Sequence, residues 1–179
     1  MSNKIGFSNF RRFAKFPEID LGEITILVGG NNSGKSTLVK ALLLCVDNLR
    51  LMRMNDRRRN ENKFFFSKPL FRFDANEYHD VKVKTFSRAI YNKNVEKMDD
   101  QLKTVNELPS TIEFFFTIGQ FEFCFVVSGD RDIKKNITTG DVESITIVDH
   151  KANVRYSNDY TTQNMSFEIR RIAHFAGCF

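Results

Sequence analysis

The chain has 179 residues, 41% hydrophobic and 27% charged, with a net charge of +5. That length and mix build one folded core and exclude both a disordered chain and a large multidomain machine. The longest purely apolar run, Ala41 to Val46, falls far short of the roughly 20 residues a membrane-spanning helix needs.

The start, Met1-Ser2-Asn3-Lys4, lacks the apolar core of a signal peptide, so a cytoplasmic location is expected. Cys45, Cys124 and Cys178 are far apart, form no CxxC pair, and read as reduced thiols. With 19 Phe and no Trp, phenylalanine carries nearly all the aromatic bulk.

Residues 4–10 read as a strand, with Ile5 and Phe7 apolar. A bend at Pro17 and a short strand through Ile19 and Leu21 follow. Glu23 to Val28 is β-branched and nearly continuously apolar, the pattern of a strand buried on both faces. Gly29 to Gly34 is a glycine- and asparagine-rich turn. From Lys35, apolar residues recur at Leu38, Leu42, Cys45, Leu49 and Met52, which predicts a helix to about Asn55 with that stripe in the core. Asp56 to Asn62 is a charged loop.

Phe64–Phe66 and Leu70–Phe73 predict short strands. Val81–Lys93 fits strand or helix, and Lys97–Val105 fits a short helix. Ile112, Phe114, Phe116 and Ile118 then alternate, as do Phe121, Phe123, Phe125 and Val127. Gly119-Gln120 between them suits a two-residue hairpin turn with glycine first. Ser144–Val148 and Val154–Tyr156 form a second hairpin candidate, and Met165, Phe167 and Ile169 alternate again. The second half therefore predicts an antiparallel meander. Its strands also carry Phe115, Cys124 and Val126 on the other face, a candidate partner surface.

Gly29-Gly30-Asn31-Asn32-Ser33-Gly34-Lys35-Ser36 fits Gly-x-x-x-x-Gly-Lys-[Ser/Thr] at every fixed position. Glycines let the backbone turn tightly and approach phosphate closely. N–H groups from about Asn32 to Thr37 are expected to point inward as an anion nest, backed by the positive end of the following helix. Lys35 is placed to reach the β- and γ-phosphates, and the Ser36 hydroxyl to ligate Mg²⁺. Thr37 is placed to bond the α-phosphate. The motif predicts nucleoside triphosphate binding through Gly29, Asn31, Asn32, Ser33, Gly34, Lys35, Ser36 and Thr37. The fold class these elements imply is α/β: a P-loop NTPase N-terminal lobe at 1–62, with an antiparallel β-rich lobe at 63–179.

Phe10-Arg11-x-Phe13, Ile19-x-Leu21 and Ile24-x-Ile26-x-Val28, followed by the paired asparagines of the loop, resemble the opening of a RecF/SMC/Rad50-type ATPase head. The OLD-type and related AAA ATPases open similarly. The resemblance covers about residues 4–46. It implies ATP with Mg²⁺, an ABC-like head with ATP held between two heads, and Arg11 or Arg12 near the nucleotide or the dimer surface. It also implies work in DNA repair, DNA metabolism or phage defence.

The departures are equally specific. A working head needs an apolar strand ending in Asp-Glu to hold Mg²⁺ and position water. Met98-Asp99-Asp100 lacks the strand. Ser144–Asp149 has the strand, but His150 follows Asp149. No signature sequence is present, and Gln101, Gln120 and Gln163 are all poor candidates for the loop glutamine. The expected partner is therefore a missing C-terminal ATPase lobe or a second head, with little hydrolysis by this chain alone.

Arg50, Arg53, Arg57, Arg58, Arg59 and Lys63 form the densest basic patch, read either as a DNA phosphate contact or as a solvated helix end. His79, His150 and His174 have no metal spacing. A non-catalytic nucleotide-binding module, an ABC transporter ATPase fragment and a small P-loop kinase are the competing readings; the long β meander fits the kinase poorly.

Overall fold

The computed structural model describes residues 3–57, 69–74, 83–98, 104–152, 154–161 and 170–171. Two strands, β1 (Asn3–Phe10) and β2 (Phe13–Leu21), open the chain, and helix α1 (Lys35–Arg57) follows. Next come β3 (Leu70–Arg72), a single helical turn α2 (Phe86–Ala89), and a separate hairpin of β4 (Val95–Met98) with β5 (Thr104–Glu107). The long strands β6 (Thr111–Ile118), β7 (Phe121–Ser128) and β8 (Thr139–Asp149) are followed by β9 (Val154–Asp159) and β10 (Arg170–Arg171). Among the described residues the main sheet runs β10-β9-β8-β7-β6-β1-β2, with β3 paired to β8, and every pairing is antiparallel.

The alternating phenylalanines explain the sheet. Period-2 alternation sends every second side chain to one face. Ile112, Phe114 and Phe116 of β6 and Phe125 and Val127 of β7 are fully buried on that face, with Ile5 and Phe7 of β1 beside them. The Phe71 ring stacks on Phe114 at 5.4 Å, and Phe7 on Phe16 at 4.6 Å. Such pairs add about 0.5–1.5 kcal/mol each beyond area burial. The other face carries Lys4, Ser8, Glu113, Glu122, Thr146 and Arg155 in register, with Phe115, Cys124 and Val126 only half-buried. Both hairpin predictions hold, and Gly119 opens its turn at φ +59°.

Between Ile5 and Phe7 the β1–β2 register shifts, because three residues of β2 span what two of β1 span. The extra length falls at Pro17-Glu18, and a proline without an N–H suits such an edge-strand bulge.

Helix α1 forms as expected and covers the apolar face. Its buried apolar residues are Leu38, Ala41, Leu44 and Cys45, joined by the polar Thr37, Asp47 and Asn48, with Leu42 and Leu49 only partly buried. The core stripe is thus rotated from the predicted one and includes an asparagine. The Asn48 amide donates to Leu44 O and Arg72 O, both at 2.9 Å, while its Oδ1 accepts from Arg72 N at 2.7 Å. One side chain therefore pins β3 to α1 by imitating a strand neighbour.

Two expectations are corrected. Glu23–Val28 is not a strand: it is irregular, with Ile24, Ile26 and Val28 86%, 80% and 88% exposed. A strand needs neighbours for its N–H and C=O groups, and among the described residues none runs alongside it; β2 is the sheet edge. The broad P-loop-type α/β class stands, with the sheet among the described residues antiparallel and the expected motif strand unformed. Lys97, Met98, Thr104 and Val105 lie in the paired strands β4 and β5 rather than in a helix. Val81–Lys93 resolves in part, with α2 at Phe86–Ala89 and Ile90 bridged to Phe10. Phe64–Phe66, Met165–Ile169 and the division at residue 62 lie outside the described residues, although β1 and β6 pair directly across that division.

Candidate nucleotide-binding site

The loop at 29–37 leads straight into α1. Gly34 occupies the helix entrance at φ +99°, and its carbonyl accepts from Thr37 N at 2.9 Å and Leu38 N at 3.0 Å. The left-handed region favours glycine, and here space demands it as well. A Cβ on Gly34 would stand 2.4 Å from Phe13 Cζ and 2.7 Å from Cε2. One on Gly29 would stand 2.8 Å from Ser33 Oγ. The concavity is one that side chains would fill.

The N–H groups of Gly34, Lys35 and Ser36 donate to no backbone carbonyl among the described residues. They are the orphan donors every helix start carries, with the positive end of the helix dipole behind them. The nest is narrower than expected. Ser33 N is turned to Gly30 O at 3.3 Å and Thr37 N to Gly34 O.

Lys35 folds back over the loop. Its Nζ donates to Gly29 O at 2.6 Å, Gly30 O at 2.7 Å and Ser33 Oγ at 3.2 Å. Ser36 is exposed at the first turn of α1, and Thr37 is buried. Asn31 and Asn32 form the exposed crest, with Asn32 at φ +70°.

Of the two arginines, Arg12 reaches the loop. Its Nη1 donates to the carbonyl oxygen of Asn32 and to Asn32 Oδ1, the latter at 2.7 Å. Arg11 faces elsewhere in its backbone role: at φ +54° it turns the β1–β2 hairpin, and its N–H donates to Ala89 O at 2.5 Å. Sequence reasoning missed Phe13, whose ring lies against Gly34. An aromatic residue beside the hairpin arginines was its only signal.

Asp149 is removed from consideration as a Mg²⁺ ligand. It ends β8 and caps the following turn, accepting from Lys151 N at 2.9 Å, Ala152 N at 3.0 Å and Gln120 Nε2 at 3.1 Å. The Ala152 N–H above all holds its carboxyl below the ordinary aspartate value. It pairs with Phe121 beside the Gly119 turn, whose N–H donates to Asn3 Oδ1 at the start of β1. The loop adjoins the far end of β1, through Arg12. Asp149 and Ser36 thus serve opposite ends of the sheet. Gln120, as a turn residue, is removed with it. Asp99, Asp100, Gln101 and Gln163 lie outside the described residues.

His150 Nε2 sits 3.3 Å from Glu122 Oε2. Cys45 and Cys124 are free, and burial, then Cys124, pushes the Cys45 thiol well up, so it is inert packing. Arg50 is exposed on α1; Arg58, Arg59 and Lys63 and the side chains of Arg53 and Arg57 lie outside the described residues. No helix among the described residues is long and apolar enough to cross a membrane.

No curated protein and no solved structure matches this chain. A family model described as AAA ATPase domain matches residues 1–172, which takes in the sheet, α1 and the loop with its Lys35 together. By that match, over nearly its whole length, the chain belongs to the AAA ATPase domain family.

Proposed function

We propose that the loop at 29–37 binds Mg-ATP, and that the chain is the ATP-binding lobe of an ABC/SMC-like ATPase of the RecF/SMC/OLD type. Membership of the AAA ATPase family supports nucleotide binding, typically with Mg²⁺. The observation that carries the site assignment is that the N–H groups of Gly34, Lys35 and Ser36 donate to no backbone carbonyl among the described residues, at a helix start whose Lys35 ammonium folds back onto the loop at Gly29, Gly30 and Ser33. Phosphate oxygens are the natural acceptors for such donors at a helix start.

On binding, the Lys35 Nζ would exchange three loop oxygens for β- and γ-phosphate oxygens, a trade of neutral acceptors for charged ones. The Ser36 hydroxyl would hold Mg²⁺, which when bound offsets charge on the β- and γ-phosphates. Among the described residues neither Asp149 nor Gln120 lies where it could position water, and the proposal assigns the acidic groups of a working site to a second lobe or head. The exposed run Ile24–Val28 supports that partner: its unpaired, β-branched residues suit strands supplied from outside the described residues.

Work on DNA, in repair, DNA metabolism or phage defence, follows the same proposal, with Arg50, Arg53, Arg57, Arg58 and Arg59 as the surface offered to phosphates. A non-catalytic nucleotide-binding module is the second reading, favoured by the location of Asp149 away from the loop.

The test is titration calorimetry with Mg-ATP. Lys35→Ala should weaken binding at least tenfold, about 1.4 kcal/mol. Equal affinity in the two proteins would end the assignment.

A further inference from the structure

Two consecutive residues of the β1–β2 hairpin hold the crest of the loop from outside. Arg12 Nη1 grips Asn32 by its carbonyl and by Oδ1. The Phe13 ring fills the space beside Gly34 that a Cβ would need. The guanidinium carbon lies 5.7 Å from the Phe13 ring centroid, so the two act as one clasp. Asn32 is left-handed at φ +70°, a conformation that a non-glycine residue keeps when its surroundings hold it there. The approach to the loop gives no such hold, because Ile24, Ile26 and Val28 are exposed.

We propose that Arg12 is a positioning residue for the nucleotide site: it sets the shape of the loop through Asn32 rather than by touching phosphate. This rests on reading the loop as that site. The Arg12 Nη1 is engaged by the two Asn32 oxygens, while the N–H groups of Gly34 to Ser36, which donate to no backbone carbonyl among the described residues, are left for a ligand. The clasp also ties the loop to α2, since the Arg11 N–H on the other side of the turn is bonded to Ala89 O of that helix.

The experiment is a binding panel with Mg-ATP and Mg-ADP on wild type, Arg12→Ala, Arg12→Lys, Asn32→Ala, the Arg12→Ala/Asn32→Ala double variant, and Lys35→Ala. Arg12→Ala should lose about fivefold for both nucleotides, the scale of one ordinary hydrogen bond at an exposed site. Arg12→Lys should not fully restore it, because the lysine nitrogen stops about one bond short of the Nη1 position and lays no flat cation beside the Phe13 ring. The double variant should lose clearly less than the product of the single losses, since both break the same contact.

No loss in Arg12→Ala, or single losses that multiply in the double variant, would overturn the proposal. So would a loss confined to ATP and restored by Arg12→Lys, the mark of a direct phosphate contact. Undiminished binding in Lys35→Ala would instead remove the nucleotide-site reading, and the clasp's role with it.

Discussion

Replacing Asn48 tests how the helix and sheet are joined. The side chain is fully buried and makes three hydrogen bonds, two of them to the backbone of Arg72. Asn48→Ala leaves the Arg72 N–H and C=O without that partner; Leu44 O keeps its intrahelical donor. Each partly buried orphan costs about 1–3 kcal/mol, and solvent reaching the Arg72 side relieves part of it. The expected loss is about 3 kcal/mol. For a domain of this size that lowers Tm by roughly 6–12 °C, with the urea midpoint falling and the m-value unchanged. Asn48→Asp adds a sharper test. The carboxylate keeps the acceptor for Arg72 N but faces Leu44 O and Arg72 O with negative charge. Burial should raise its pKa in the folded state above the unfolded value. Its protonated form is then the compatible one, so this variant should gain stability relative to wild type as pH falls from about 8 towards 5. Denaturation of Asn48→Ala within about 0.5 kcal/mol of wild type would refute the bridging role.

Gly34→Ala should destabilise the protein by about 2–4 kcal/mol, combining left-handed strain with displacement of the Phe13 ring; the penalty should shrink but not vanish in a Phe13→Ala background, as read by urea titration. The purified chain should bind ATP yet release phosphate at or below about 10⁻³ s⁻¹, because no described residue is placed to position water or to serve as a second Mg²⁺ holder; robust turnover abolished by Lys35→Ala would reveal an overlooked catalytic acid. The Asp149 carboxyl is held below its ordinary value, so its turn is stabilised above the ordinary aspartate range and loses that support as pH falls through the lowered value. Asp149→Ala should accordingly lower Tm at neutral pH and match wild type in strong acid.

The parts of the fold legible from sequence were those whose signal is local. Leu38 to Leu49 declared a helix by period, and the alternating phenylalanines of 112–127 declared a buried sheet face. The Gly29–Ser36 motif located the loop because its glycines and lysine have fixed spacing. What failed depended on neighbours. Ile24–Val28 has every strand propensity, but propensity forms no strand without a ladder partner. Lys97–Val105 reads as a polar helix, yet the pairing of Val95–Met98 with Thr104–Glu107 decides otherwise. The burial of Asn48 has no local signal, because a buried amide is tolerated only when a specific strand, here β3, accepts it. The contact between Arg12 and Asn32 spans a strand and a loop, and nothing in either residue announces it.

The pairing of β1 with β6 has a consequence for the order in which the molecule assembles. Ile5 meets Phe116, so the first strand stays incomplete until a segment more than a hundred positions later arrives. Closing a chain loop of that length costs about 4 kcal/mol of entropy before any contact repays it. Helix α1 closes on itself with short-range bonds and is free to form early. The sheet beneath it, and the hairpin turn that grips the loop, depend on the late partner. Folding is therefore expected on the slow timescale of chains dominated by distant pairings. During that interval, the loop and its helix precede the platform that holds them in place.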